Sequence, residues 1–339
     1  MNNITEPSPS VAPEESVGEV AVACVILGLS FLVGAPGNLL VIWTILRHVK
    51  QRSHTVVLIL HLAAADLLVL ITLPIWIYSL ADTWVFGVAL CKILAYVINA
   101  CMYSSIFFIT LMSVERYVAI CRPFVMMRWK SNSTMNRCLV LFWLLAFLLG
   151  VPALESRTVD ERNETKRCHY KDCTSNNQGI INLCLQVLVG FVIPFTVLSV
   201  CYSLVAVQLK KMRFNSKQKS MVLIHAVVIA FTVCWLPFHI INIINLVCCL
   251  HSDIGHECVP QSVVLGSGAL AFISSSVNPV LYAFLSRSFQ GNMKDSRLVR
   301  LFREVTTQTN KLMDLAAQQE TGQGTTITKE ELLCDSLCK

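Results

Sequence analysis

Charge is what this sequence has least of. Asp, Glu, Lys and Arg make up 14% of its 339 residues, against about 25% in an ordinary soluble protein. That is too little to clothe a water-facing surface, which argues against a soluble multidomain enzyme. The shortage is also uneven. Residues 20–46, 93–114, 138–154, 173–209, 220–252 and 258–286 carry no formal charge, and 53–81 carries only Asp66. A helix crossing the hydrocarbon core needs about 20 apolar residues. Seven segments reach or approach that length, with short polar joints between them. The expectation is an all-α membrane protein, a bundle of seven transmembrane helices.

Other absences narrow the function. Residues 1–19 are polar and acidic with no basic n-region, so the first span is expected to act as its own insertion signal. There is no spaced His/Asp/Glu metal set and no nucleophile motif, which argues against an enzyme. An ion-coupled transporter is the reading from another class. No inverted repeat supports it, and seven spans do not divide into two halves. Cysteine is plentiful, at 15 residues, but Cys24, Cys101, Cys121, Cys138, Cys184, Cys201 and Cys234 lie in apolar runs. There they read as small packing residues. The net charge of +6 resides in particular loops and is no nucleic-acid footprint.

Those loops set the topology. Twelve Lys and Arg residues fall in the joints after spans 1, 3 and 5, and six fall in the opposite set. The basic set belongs in the cytoplasm, which puts the N-terminus outside, the C-terminus inside and the chain in the plasma membrane. Sequons at Asn3 and Asn163 fall on the outer side and are the expected glycosylation sites. The spans are expected near 19–46, 54–81, 88–121, 134–155, 179–210, 216–248 and 260–285. Pro36, Pro74, Pro194, Pro237 and Pro279 lie inside them and Pro152 near the end of the fourth. A helix-interior proline removes a hydrogen bond and kinks the helix, which suits a bundle that encloses a cavity.

Residues 1–18 form an outer tail and 19–285 the bundle. Over 286–305, Phe289, Met293, Leu298, Phe302 and Val305 alternate with Lys294, Arg297, Arg300 and Arg303. This predicts a basic amphipathic helix on the inner leaflet. From 306 to 339 the Thr/Gln/Gly-rich composition predicts a disordered tail.

A charged residue inside a span costs about 2.5–3.5 kcal/mol on insertion scales, so Asp66 is a functional candidate. With Asn38, Ser105, Ser274 and Asn278 it would form an oxygen cage for a small cation, sodium being the candidate and no other cofactor expected. The alternative is a protonated structural acid. At the inner end of span 3, Glu115-Arg116-Tyr117 is either a local ion pair or a charge that turns to a cytoplasmic partner.

Several motifs in register carry a resemblance. These are Gly37-Asn38, Leu62 to Asp66, Glu115-Arg116-Tyr117, Trp143, Pro194 with Tyr202, Trp235 with Pro237, and Asn278-Pro279 through Tyr282. Over about residues 20–305 the chain resembles the rhodopsin-like G-protein-coupled receptors. The resemblance implies a receptor whose Glu115, Arg116, Tyr117, Tyr202 and Tyr282 face a heterotrimeric G protein of the inhibitory class, with Trp235 and Pro237 as pivot. One departure is the inner end of span 6. Many relatives place an acid there, and this chain reads Asn215-Ser216-Lys217.

Positions typical of other subfamilies are filled differently. Phe272 replaces the opsin lysine, Ile98 the amine-receptor acid and Gly268 the chemokine-receptor acid. Cys101-Met102-Tyr103-Ser104-Ser105, Arg122-Pro123-Phe124, Val151-Pro152-Ala153 leading to Arg157, and Ala271 through Pro279 look like the leukotriene B4 receptors of the chemoattractant group. The implied ligand is a hydroxy fatty acid, with a peptide chemoattractant as alternative. Arg157 would bind the carboxylate, the competing reading being an ion pair with Glu155, Asp160 or Glu161. Asn99, Gln186, His239 and Asn242 would bind hydroxyls, and Met102, Tyr103 and Phe238 would line the apolar middle. The pocket departs from better-known members at Ala95, Gln186, Phe238 and Val264.

A disulfide from Cys91 to the long outer loop is expected, since that compartment is oxidising. Resemblance selects Cys168, with Cys173 as competitor. Cys248, Cys249 and Cys258 cluster at the last outer loop. Thr306, Thr307, Thr309, Thr321, Thr325, Thr326, Thr328 and Ser336 are candidate sites for a receptor kinase, whose phosphates would recruit arrestin. Cys334 and Cys338 are candidates for palmitoylation.

Overall fold

A computed structural model of the chain describes residues 14–122, 125, 132–162, 165–170, 177–211, 219–251, 259–287 and 297–307. Among them are seven helices long and apolar enough to cross a membrane. They are Gly18–His48, His54–Ala81, Gly87–Cys121, Thr134–Glu155, Gly179–Gln208, His225–Cys248 and Val263–Ala283, here spans 1 to 7. Six of the expected ranges agree to within three residues, and the sixth span, expected from 216, begins at His225 within a helix described from Lys219; long charge-free runs leave a helix no alternative way to satisfy its backbone in lipid. Span 3 sits at the centre, touching spans 2, 4, 5 and 6. Span 1 packs against spans 2 and 7. Leu29, Leu32, Trp43, Leu148, Ile229 and Val233 remain exposed, as lipid-facing side chains should.

The prolines act differently from one another. Pro36, Pro237 and Pro279 lie inside unbroken helices. Span 2 instead divides into His54–Leu70 and Leu73–Ala81. Pro74 stands in the first turn of the second piece, where its missing N–H is no loss. Thr72 fills the break, its hydroxyl donating to the Val69 carbonyl at 2.7 Å. Span 4 runs over Asn132–Gly150 and restarts at Pro152–Glu155. In span 5 a π-helical turn, Leu188–Val192, joins Asn177–Val187 to Ile193–Lys211. Pro194 follows directly, unable to donate to the carbonyl of residue 190 one α-turn back.

Spans 1 and 7 approach closely because two positions in span 1 lack a side chain. A Cβ on Gly34 would stand 2.7 Å from Cβ of Ser276, and one on Gly37 would stand 2.7 Å from Cβ of Pro279. Next to Gly37, Asn38 donates through Nδ2 to the Gly34 and Ser275 carbonyls at 3.0 and 2.9 Å.

Residues Arg157–Tyr170 add a feature the expectation did not include, an antiparallel hairpin of β1, Arg157–Arg162, and β2, Thr165–Tyr170, in the register Val159↔Cys168. After span 7 the described residues include a helix over 297–307, overlapping the expected 286–305 and running two residues past it. Residues 288–296, with Phe289 and Met293, lie outside the described residues. Its Val299, Leu301, Phe302 and Val305 are buried, and the last three join a core with Val49, Val56 and Tyr282. The apolar face thus turns into the bundle. The helix also takes in Thr306 and Thr307, placed by composition in the tail, and their hydroxyls donate to the Phe302 and Arg303 carbonyls at 3.1 and 3.0 Å.

Candidate functional site

Three amides meet between the halves of spans 3, 5 and 6 that lie nearer the hairpin. Asn242 donates through Nδ2 to Oε1 of Gln186 at 2.9 Å, and Gln186 donates through Nε2 to Oδ1 of Asn99 at 3.1 Å. Asn99 in turn donates to the Ala95 carbonyl one turn back, at 2.9 Å. All three side chains are buried. Three of the four candidates expected to bind hydroxyls thus bond to one another, as buried polar groups do.

Further along span 3, Met102, Tyr103 and Ile106 cluster with Ala146 and Trp235, with Phe238 packed against them. Phe238 meets the Trp235 indole edge-on at 5.8 Å. His239 stands apart from the amide chain. It is 1% exposed, and neither ring nitrogen has a hydrogen-bond partner among the described residues. Its ring stacks on Phe191 at 5.0 Å and lies 6.0 Å from Trp235. Gly190 of the π-turn makes room for it, since a Cβ there would come within 3.3 Å of its Cε1.

The hairpin lies at the end of the bundle where span 3 begins. Cys91 at the head of span 3 is disulfide-bonded to Cys168 of β2. Trp84 donates its backbone N–H to the Lys166 carbonyl at 2.8 Å, and its indole donates to the Gly87 carbonyl at 2.8 Å. Arg167 donates to the Ser79 and Leu80 carbonyls at 2.6 and 3.2 Å, satisfying the last turn of span 2. Arg157 opens β1 opposite Tyr170 and is half-buried. The side chains of Asp160 and Glu161, its possible ion-pair partners, lie outside the described residues. So do Asn3, Asn163, Cys173 and Cys258. Cys248, at the outer end of span 6, is also disulfide-bonded.

Asp66 is buried in the middle of the bundle. Asn278 donates to its Oδ2 at 2.8 Å. Ser274, expected in the same cage, donates its hydroxyl to the Ala271 carbonyl of its own helix at 2.7 Å. Ser105 is buried on span 3. Asn38 Oδ1 and Trp235 Nε1 have no hydrogen-bond partner among the described residues.

In the last turns of span 3, Arg116 and Glu115 are both buried and stand 3.8 Å apart. A residue the sequence reading missed lies between them. Thr55 of span 2 donates to Oε2 of Glu115 at 2.8 Å and accepts from Nη2 of Arg116. Nothing in the local sequence marks Thr55 beyond its place in the first turn of an apolar span. Tyr117 is half-buried beside Val118 and Ala119. The Tyr202 hydroxyl is 3.2 Å from that of Ser113, and its ring lies 4.9 Å from His225 of span 6. Tyr282 is buried, with its ring T-shaped against Phe302 at 5.9 Å.

Residues 37–282 match the family model described as "7 transmembrane receptor (rhodopsin family)". The chain is 34% identical over 296 residues to leukotriene B4 receptor 1 of Homo sapiens, covering 84% of this chain and 81% of that protein. With leukotriene B4 receptor 1 of Rattus norvegicus the identity is 37% over 265 residues, covering 76% and 75%. Chemerin-like receptor 2 of Mus musculus is 32% identical over 293 residues, covering 84% and 82%. These relatives are receptors, not enzymes.

Proposed function

We propose, on the premise that this chain belongs to the rhodopsin family of seven-transmembrane receptors, that it senses an acidic, hydroxylated lipid of the leukotriene B4 class at the cell surface. The amide chain Asn242–Gln186–Asn99 carries this reading. It supplies neutral donors and acceptors next to the apolar side chains of Met102, Tyr103 and Phe238. A fatty acid bearing hydroxyls needs that pairing, with a cation at one end for its carboxylate. Arg157, on the strand tied to span 3 through the hairpin, is that cation, because its planar fork matches a carboxylate. The identity to leukotriene B4 receptor 1 supports the same class. A second reading, a peptide chemoattractant, draws on the relatives that carry another ligand's name, the chemerin-like receptors.

The N-terminus faces outward and the basic joints face the cytoplasm. There Arg116, Tyr202 and Tyr282 engage a heterotrimeric G protein of the inhibitory class, and the tail recruits receptor kinase and arrestin. A ligand moves the resting-to-active equilibrium only by its differential affinity for the two states. The Asp66 carboxylate, with the Ser105 hydroxyl and Asn38 Oδ1 as further candidates, offers hard oxygen donors that suit a small cation. A sodium ion held there would favour the resting state.

The test is a panel of hydroxy fatty acids and chemoattractant peptides applied to cells expressing the receptor, with G-protein activation as readout. Response to a dihydroxy fatty acid at low concentration is expected. Response to peptides alone would sink the lipid reading, and response through no G protein would sink the coupling.

A further inference from the structure

We propose that Thr55 is the positioning residue that holds Arg116 in its resting place, and that Thr306 of the helix after span 7 sets the turn on which Thr55 stands. Release of that helix and release of Arg116 then become one coupled event. This rests on the reading of Arg116 as the residue that meets the G protein.

The geometry at Arg116 starts from a gap. Its Nε stands 3.8 Å from Oε2 of Glu115, too far for a hydrogen bond. The Thr55 hydroxyl fills the gap. A hydroxyl has one hydrogen to give and lone pairs to receive. Here the hydrogen goes to Oε2 of Glu115 at 2.8 Å, and a lone pair receives Nη2 of Arg116. One neutral oxygen thereby grips both members of the pair. Its hold matters because Thr55, Glu115 and Arg116 are all buried, where a polar contact is worth more than in water. Glu115 Oε1 has no hydrogen-bond partner among the described residues, so Oε2 carries the restraint on the acid. The inner end of span 6 brings no acid to share the task, reading Asn215-Ser216-Lys217.

Thr55 itself sits in the first turn of span 2, and that turn is tied to the last helix. Ser53 is the N-cap, its hydroxyl accepting the Val56 N–H at 3.4 Å. Thr306 Oγ1 accepts the Ser53 backbone N–H at 3.4 Å and lies 3.5 Å from the Ser53 hydroxyl. It donates to the Phe302 carbonyl at 3.1 Å, and Phe302 packs on Tyr282. A continuous set of contacts therefore runs from Tyr282 and the last helix, through the N-cap, to Arg116. The joints differ in strength. The contacts at Thr306 are long and that from Thr55 to Glu115 is short, so the set parts first at the last helix.

The test measures agonist-independent uptake of a slowly hydrolysed GTP analogue by purified heterotrimers of each main class, using membranes with the full-length receptor. Thr55→Val keeps the side-chain shape and removes both bonds. It should raise basal uptake roughly fivefold, the shift expected from losing the bond that holds Arg116, about 1 kcal/mol. Thr55→Ser should return uptake to the wild-type level, which a merely structural role would not require. Thr306→Val should raise it by less. A second readout needs no G protein. Deuterium uptake across residues 113–120 should quicken in Thr55→Val and Thr306→Val and be normal in Thr55→Ser. Wild-type basal uptake and deuterium exchange in Thr55→Val would overturn the proposal, as would Thr55→Ser behaving like Thr55→Val. Should Thr55→Val fail to reach the membrane, Thr306→Val against Thr306→Ser decides by the same two readouts. Full exchange by Arg116→Ala would instead overturn the underlying coupling reading.

Discussion

Asn242 of span 6 donates to Gln186 of span 5 at 2.9 Å, across 56 residues of chain, and Gln186 relays the bond to Asn99 of span 3. Hydrogen bonds between helices in a membrane average about 0.6 kcal/mol and reach about 1.7. Gln186→Leu keeps most of the volume and removes two of them, leaving Asn99 and Asn242 short of partners. A loss of about 1–3 kcal/mol is expected, seen as a lower melting temperature of the detergent-solubilised receptor. A variant that melted like the wild type would show that the amide chain does not hold these spans together.

Arg157 separates two kinds of ligand contact. If it binds the carboxylate, Arg157→Ala should weaken a dihydroxy fatty acid by about 1.5–3 kcal/mol, the worth of a charge-assisted hydrogen bond. The methyl ester of the same lipid should lose little further. Equal loss for acid and ester would mean that Arg157 shapes the hairpin and the carboxylate lies elsewhere, with Lys92 beside the disulfide as the next position to test.

Asp66 is joined to span 7 through Asn278. With sodium bound in the resting state, raising sodium at constant ionic strength should lower the affinity of an activating lipid. Asp66→Asn, which removes the charge and keeps the shape, should abolish that dependence. A mutant with undiminished sodium sensitivity would rule this site out.

Gly37 has no room for a side chain, since its Cβ would fall 2.7 Å from Cβ of Pro279. The clash is with a rigid ring, so Gly37→Ala must push span 1 away from span 7. That overpacking should destabilise by about 1–3 kcal/mol. Gly28, which has nothing within 4 Å of its Cβ position, should accept alanine without loss. Equal melting temperatures for the two variants would refute the close approach.

The spans were legible because each is a local property. Charge-free runs of sufficient length and Lys/Arg bias between them need no knowledge of which helix touches which. Asp66 and Glu115-Arg116 stood out for the same reason, as charges in or beside apolar sequence. The hairpin over Arg157–Tyr170 was not legible. Its strands are short and charged, and its place depends on Cys91 and on Ser79, Leu80 and Trp84, which lie far back in the chain.

Side-chain partners were harder still. Ser274 and Asn278 lie about one turn apart on span 7, and the rotation of that helix gives Asn278 to Asp66 while Ser274 bonds to the Ala271 carbonyl of its own helix. The apolar face of residues 297–307 suits a bilayer surface as well as a protein groove. Tyr282, Val49 and Val56 turn it inward.

By itself, then, the sequence determined a seven-span membrane protein and the residues able to carry charge or hydrogen bonds within it, because the cost of bare polar groups in lipid acts on every segment separately. Only the tertiary structure decided which of them meet. It bonded Gln186 to both Asn99 and Asn242, and it set the hydroxyl of Thr55 between Glu115 and Arg116. Those pairings depend on the rotation and depth of packed helices, which no single segment encodes.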